Sequence, residues 1–144
     1  MKFNDIPAQD WPDLKPYLDT CLLPVTGLTG FEDPASVTAA LEQLRDALET
    51  IEIPYKGRVV TYPALHYMTA VSMKDQLEAL SLHLKRMGFR YVIVLTIHTE
   101  DAASWKADQT DLLIVVDMEQ WTSGSEQIKA SISKQVQQLW QQGD

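Results

Sequence analysis

A histidine and a carboxylate two positions apart, His98 and Glu100, follow directly on the most apolar run of the chain. Imidazole nitrogen and carboxylate oxygen both ligate zinc or manganese, so His98 and Glu100 are candidate metal ligands. A catalytic zinc normally takes three protein ligands plus water, so this pair needs help. His66, after the second apolar run, can supply it if the two strands are neighbours, with Glu32 or Asp33 as further carboxylates. The candidate pocket is therefore His66, Tyr67, His98, Thr99 and Glu100. The plainer alternative makes His98 and Glu100 solvated loop residues, with Thr99 capping a short helix.

Other chemistries find less support. Cys21 is the one cysteine, so no internal disulfide can form. It reads as a small buried side chain in a reduced, intracellular protein, with a catalytic thiol as the sharper alternative. Thr26-Gly27-Leu28-Thr29-Gly30 lacks the spacing and the lysine of a phosphate loop and reads as a plain turn. No serine sits in a Gly-x-Ser-x-Gly elbow, and no Gly-x-Gly-x-x-Gly follows a strand. His83 falls at the boundary of a helix stripe, and Asp117 and Glu119 read as turn and cap residues.

The elements that must position these groups are legible. Ser72 is an N-cap with Asp75 at N3, and Met73, Leu77, Leu80, Leu84 and Met87 then form one helical face. Lys85 and Arg86 suit the last turn, and Gly88 the C′ position. Tyr91 to Ile97 is apolar without alternation, which predicts a strand buried on both faces, as in parallel sheets. Functional groups in such sheets gather at the strands' carboxyl ends, where His98 lies.

Earlier in the chain, Asp10 and Pro12 open a short helix carrying Trp11 and Leu14. A first strand is expected over Leu18 to Val25, ending at Pro24 or lying at an edge, because proline has no N–H to donate. Asp33-Pro34 opens a long helix with Val37, Leu41, Leu44, Leu48 and Ile51 on one face. A second strand covers Arg58 to Tyr62, and residues 64 to 71 read as a loop with at most a turn of helix. Thr99 is the expected cap of one or two helical turns over Trp105. A fourth strand covers Leu112 to Asp117, its direction open. Glu119 to Gly124 reads as a turn, and Ser123 with Glu126 as the capping box of the last helix. Strand–helix–strand–helix–strand alternation implies right-handed crossovers. The expectation is one three-layer α/β domain over residues 1–144, with a mainly parallel sheet of about four strands flanked by helices.

The 144 residues suit one domain, and 45% hydrophobic content is ordinary for a globular fold. A net charge of −8 and a pI near 4.7 argue against nucleic acid and anionic lipid as partners. No apolar run nears the ~20 residues of a membrane helix. The first residues lack the apolar core of a secretory signal, so a cytoplasmic location is expected.

Met87-Gly88-Phe89-Arg90-Tyr91-Val92-Ile93-Val94, followed by His98 and Glu100, resembles the creatininase-type amidohydrolases. In that family a similar turn and strand end in a histidine motif, in which the histidine and in some members the glutamate bind metal. Leu23-Pro24-Val25-Thr26-Gly27 looks like the family's first metal strand, and Val59 to Pro63 lies where the family has a strand ending in proline. The family's Glu-Gln-His-Gly segment has no counterpart in Leu28 to Asp33. Asparagine and glycine before the motif histidine are replaced by Thr96 and Ile97, and those enzymes are longer. Tyr17-Leu18-Asp19-Thr20 with Leu22-Leu23-Pro24, and the overall length, also resemble an uncharacterised family of small Bacillus-type cytoplasmic proteins, the YpiF type.

The functional reading is a non-catalytic, creatininase-like α/β domain that binds a small ligand or a protein partner, with no resident cofactor. The alternative is a metal-dependent amidohydrolase with a reduced ligand set, using zinc or manganese. The C-terminal helix has Ile128, Ile132, Val136 and Leu139 in one stripe and Trp140 at its edge, and two readings stay open: Trp140 folds back onto its own domain, or this helix is the surface for a homodimer or protein partner.

Overall fold

The computed structural model describes residues 1–67 and 72–143. The elements are α1 (Trp11–Leu14), β1 (Thr20–Leu28), α2 (Pro34–Glu52), β2 (Val59–Thr61), β3 (Leu65–Tyr67), α3 (Met73–Met87), β4 (Tyr91–Thr96), β5 (Leu112–Val115) and α4 (Met118–Gly143). Short 3-10 turns lie at Phe3–Asp5 and Ala102–Trp105. The strands form one parallel sheet in the order β2-β1-β4-β5, with β3 also pairing with β1. The fourth strand of the sequence reading is thus parallel as well.

Side-chain alternation along the strands makes two cores. Leu22, Tyr91, Ile93, Leu95 and Ile114 face α2 and α4, meeting Leu44, Ile51, Ile132 and Val136. Leu23, Val25 and Val94 face α3 and the 102–105 turn, meeting Leu77, Met73 and Trp105. Cys21, Val60 and Val92 extend that second layer toward Leu84, Phe89 and Trp11. The fully apolar β4 is explained: every residue from Tyr91 to Thr96 is buried.

The caps are as their residue types dictate. Asp33 accepts Ser36 N–H at 2.7 Å with Pro34 at N1, and Ser72 accepts Asp75 N–H at 3.4 Å. Gly88, at φ 133°, ends α3 by donating to the carbonyls of Leu84 and Lys85. Along α3, Met73, Leu77 and Leu84 are buried, Leu80 is half-buried and Met87 is 43% exposed. Leu41 of α2 is likewise 40% exposed.

Four expectations need correction. First, β1 does not end at Pro24; it continues to Leu28 in the middle of the sheet. Leu22 C=O accepts Tyr62 N–H at 2.9 Å, so residues of this parity turn their backbone toward β2. Pro24 therefore aims its nitrogen at the break between β2 and β3, where the register of the ladder is interrupted. Second, Leu65–Tyr67 is a strand, not a loop; residues 68–71 lie outside the described residues. Third, helix begins at Met118 and kinks at Gly124, and Ser123 donates to Gln120 C=O rather than capping. Fourth, the 102–105 turn follows Asp101, which takes a left-handed φ of 59°, and Thr99 does not cap it.

Candidate functional site

β1 leads through α2 to β2 on one side, whereas the return through α3 lands on β4 at the other side of β1. α2 and α3 lie on opposite faces of the sheet. The carboxyl ends of β1 and β4 are therefore the point where the winding reverses, the usual place of a crevice in open α/β sheets.

Gly27 and His98 meet there. Gly27 has φ 75°, and a Cβ built on it would lie 2.5 Å from His98 Cβ and 2.9 Å from Nδ1. The imidazole is stacked on Trp105, with ring centroids 5.3 Å apart and planes 5° from parallel. Trp105 is buried, so it is a fixed platform. His98 N–H donates to Thr96 Oγ1 at 3.1 Å, which holds the chain as it leaves β4. The imidazole is thus held flat between a backbone and an indole, half-exposed at its edge. A ring held this way can exchange a hydrogen bond with a bound molecule without first losing rotamer freedom.

The other sequence candidates are dispersed. Thr99 and Glu100 are exposed beyond His98. His66 and Tyr67 are exposed on β3, and β1 separates β3 from β4. Two strand spacings, roughly 10 Å, thus lie between their backbones. Thr26 Oγ1 on β1 donates to His66 C=O at 2.6 Å, fixing that strand. Glu32 and Asp33 have structural work of their own. Glu32 accepts Thr29 N–H at 3.0 Å, Gly30 N–H at 2.9 Å and the Thr29 hydroxyl at 2.9 Å. Those bonds, the Thr29 amide foremost, pull its pKa from the ordinary 4.5 to about 2. Asp33 caps α2, and that amide bond lowers its pKa too. Among the described residues no three His, Cys, Asp or Glu side chains converge closely enough to hold a metal ion. Cys21 is fully buried in β1, and burial pushes its thiol far above the ordinary range, so a reactive thiolate is disfavoured.

Sequence reading passed over Gly27 and, as a site residue, Trp105. The signal for Gly27 was a glycine inside an apolar strand pattern, which marks a close approach of another chain segment. At the opposite, amino end of the sheet lies a structural cluster that it also missed. Arg58 grips Asp19 through two bonds of 2.9 and 3.1 Å and lies 4.2 Å over the Trp140 ring. Trp140 Nε1 donates to Thr20 Oγ1 at 2.9 Å. Trp140 is consequently buried in its own domain and is not part of α4's outer face. No described helix is long and apolar enough to cross a membrane.

Parallel order, helices on both faces and a histidine held at the reversal of winding define a doubly wound α/β domain. Residues 9–142 match the model of the family described as Protein of unknown function (DUF2487), and the chain belongs to that family. No curated protein matches the chain, and no solved structure does.

Proposed function

We propose that this chain is a non-catalytic α/β binding domain whose ligand, a small molecule or a segment of a partner protein, enters the crevice between the ends of β1 and β4. The observation that carries the reading is the imidazole of His98 pinned between Gly27 and Trp105. His98 is the hydrogen-bonding group, Thr99 and Glu100 flank it, and His66 with Tyr67 forms the far rim across β1. Phe31, 96% exposed on the loop that leaves β1, adds an apolar contact on the same end of the sheet. No resident metal or cofactor belongs to this reading, and the cytoplasm is its proposed location.

The creatininase-like ancestry belongs here as well. The two segments that carry the likeness, Leu23–Gly27 and Tyr91–Glu100, come from adjacent parallel strands, Leu23 pairing with Val94. YpiF-type small proteins are the proposed near kin. The amidohydrolase alternative has less support, because Glu32 and Asp33 are engaged locally and β1 parts His66 from His98.

The test is a small-molecule screen by NMR on the labelled protein, followed by elemental analysis. Binders should move the signals of Gly27, His98 and the Trp105 indole, and His98→Ala should abolish binding while the protein stays folded. Binders that shift only other regions would sink the crevice reading. Stoichiometric zinc or manganese, lost on His98→Ala, would favour the amidohydrolase instead.

A further inference from the structure

The two edges of the sheet are finished differently. Along β2 the chain's own first residues lie as a bridge: Thr61 N–H donates to Met1 C=O at 2.7 Å, the Met1 ammonium to Val59 C=O at 3.1 Å, and Lys2 pairs with Thr61. Along the outer side of β5 no described residue does this. Val116 N–H donates to Thr96 C=O at 2.9 Å, so Ile114 and Val116 turn their backbones toward β4. By alternation Leu113 and Val115 present their N–H and C=O groups outward. β5 carries no charge, no proline and no register shift, the devices that usually blunt an edge.

We propose that this edge pairs antiparallel with β5 of a second copy, joining two sheets into one. A second copy fits because the pattern is its own complement. A twofold axis through Ile114 sets Leu113 of each copy opposite Val115 of the other, and every outward N–H then meets an outward C=O. The facing side chains are apolar on both faces, Leu113 with Val115 on one and the two Ile114 on the other. A four-residue strand alone falls short of the ~1,200 Å² of a stable interface. The groove between β5 and α4, about 220 Å³ and lined among others by Val115, Gln120, Ser131 and Gln135, with Asp117 as its one charged residue, supplies a further flank beside it. The inference is independent of the crevice, which lies between β1 and β4.

The same axis has an electrostatic signature. It brings Asp111 near Asp117 of the other copy. Asp111 is paired with Lys85 at 3.0 Å and Asp117 accepts Glu119 N–H at 3.0 Å, and each copy carries a net charge of −8. Like charges opposite one another weaken a strand pair, so screening by salt strengthens it.

Light scattering across a concentration series, at low salt and at about 0.5 M salt, reads the assembly. A dimer is expected at high micromolar protein, tightening several-fold as salt rises. Val115→Lys, at a position already 38% exposed, should leave a folded monomer by circular dichroism. Hydrogen exchange on the unmodified protein checks the surface directly: the Leu113 and Val115 amides should slow as concentration increases. A wild-type chain that stays monomeric overturns the proposal. So does a dimer in which those two amides exchange at the same rate at every concentration, or one that salt dissociates.

Discussion

Gly27 and His98 occupy space that only a glycine leaves free: the hydrogen on Gly27 Cα stands where a methyl would sit 2.7 Å from His98 Cγ. The contact ties the end of β1 to the first residues after β4. The positive φ at this point of the strand is a second, separate reason for glycine here.

Gly27→Ala should therefore act twice, through the strained φ of 75° and through displacement of the imidazole from Trp105. Urea unfolding should show a loss of about 1–3 kcal/mol. The Trp105 indole signal should move in the NMR spectrum. An unchanged Trp105 signal would mean that the stacking does not depend on Gly27.

The Glu32 carboxylate provides a pH prediction. Its folded pKa lies below its unfolded one, so its contribution to loop order is complete above about pH 4.5 and is lost as pH falls through about 2. Following the Glu32 carboxyl carbon by NMR should give a midpoint near pH 2. Glu32→Gln should speed exchange at the Thr29 and Gly30 amides at neutral pH. A midpoint near 4.5 would contradict the bonding of the loop.

Leu77 and Leu80 separate full from partial burial on one helix. Leu77 is completely enclosed between α3 and the sheet, and Leu77→Ala should cost roughly 2–5 kcal/mol. Leu80 is half-buried, and its truncation should cost roughly 1–2 kcal/mol. Equal losses in chemical denaturation would place α3 differently on the sheet.

Trp140→Phe removes the donor to Thr20 and weakens the platform under Arg58. A loss of about 1–3 kcal/mol is expected. If α4 instead used Trp140 to hold a partner, the substitution would alter assembly and leave stability intact. Light scattering beside a thermal melt distinguishes the two.

The architecture was readable because local signals agreed with the global pattern. Asp33-Pro34, Ser72 and Gly88 marked helix ends, and the unbroken apolar run from Tyr91 predicted a central parallel strand. Strand order was not readable, since it is a property of the assembled sheet. The joining of His66 to His98 needed their strands to be neighbours, and β1 stands between them. Pro24 misled for a related reason: a missing donor matters only on the side its nitrogen faces, and that side happens to be a break. Gly27 and Trp105 lie 78 residues apart in sequence, and no spacing rule links them. The return of Trp140 onto its own domain, one of the two readings of the last helix, is what the structure has, but its partners Thr20 and Arg58 lie far away along the chain and no local spacing points to them.

The break opposite Pro24 also bears on where this chain can change its length. Tyr62, Pro63 and Ala64 join β2 to β3 beside a residue with no amide to offer, so the ladder loses no bond if the joint lengthens. One or two added residues there would bulge outward while β1 kept its register with β4. A one-residue insertion within Leu22–Val25 would shift every side chain beyond it to the wrong face. The joint is thus the natural place to graft a reporter peptide onto the sheet without disturbing either core.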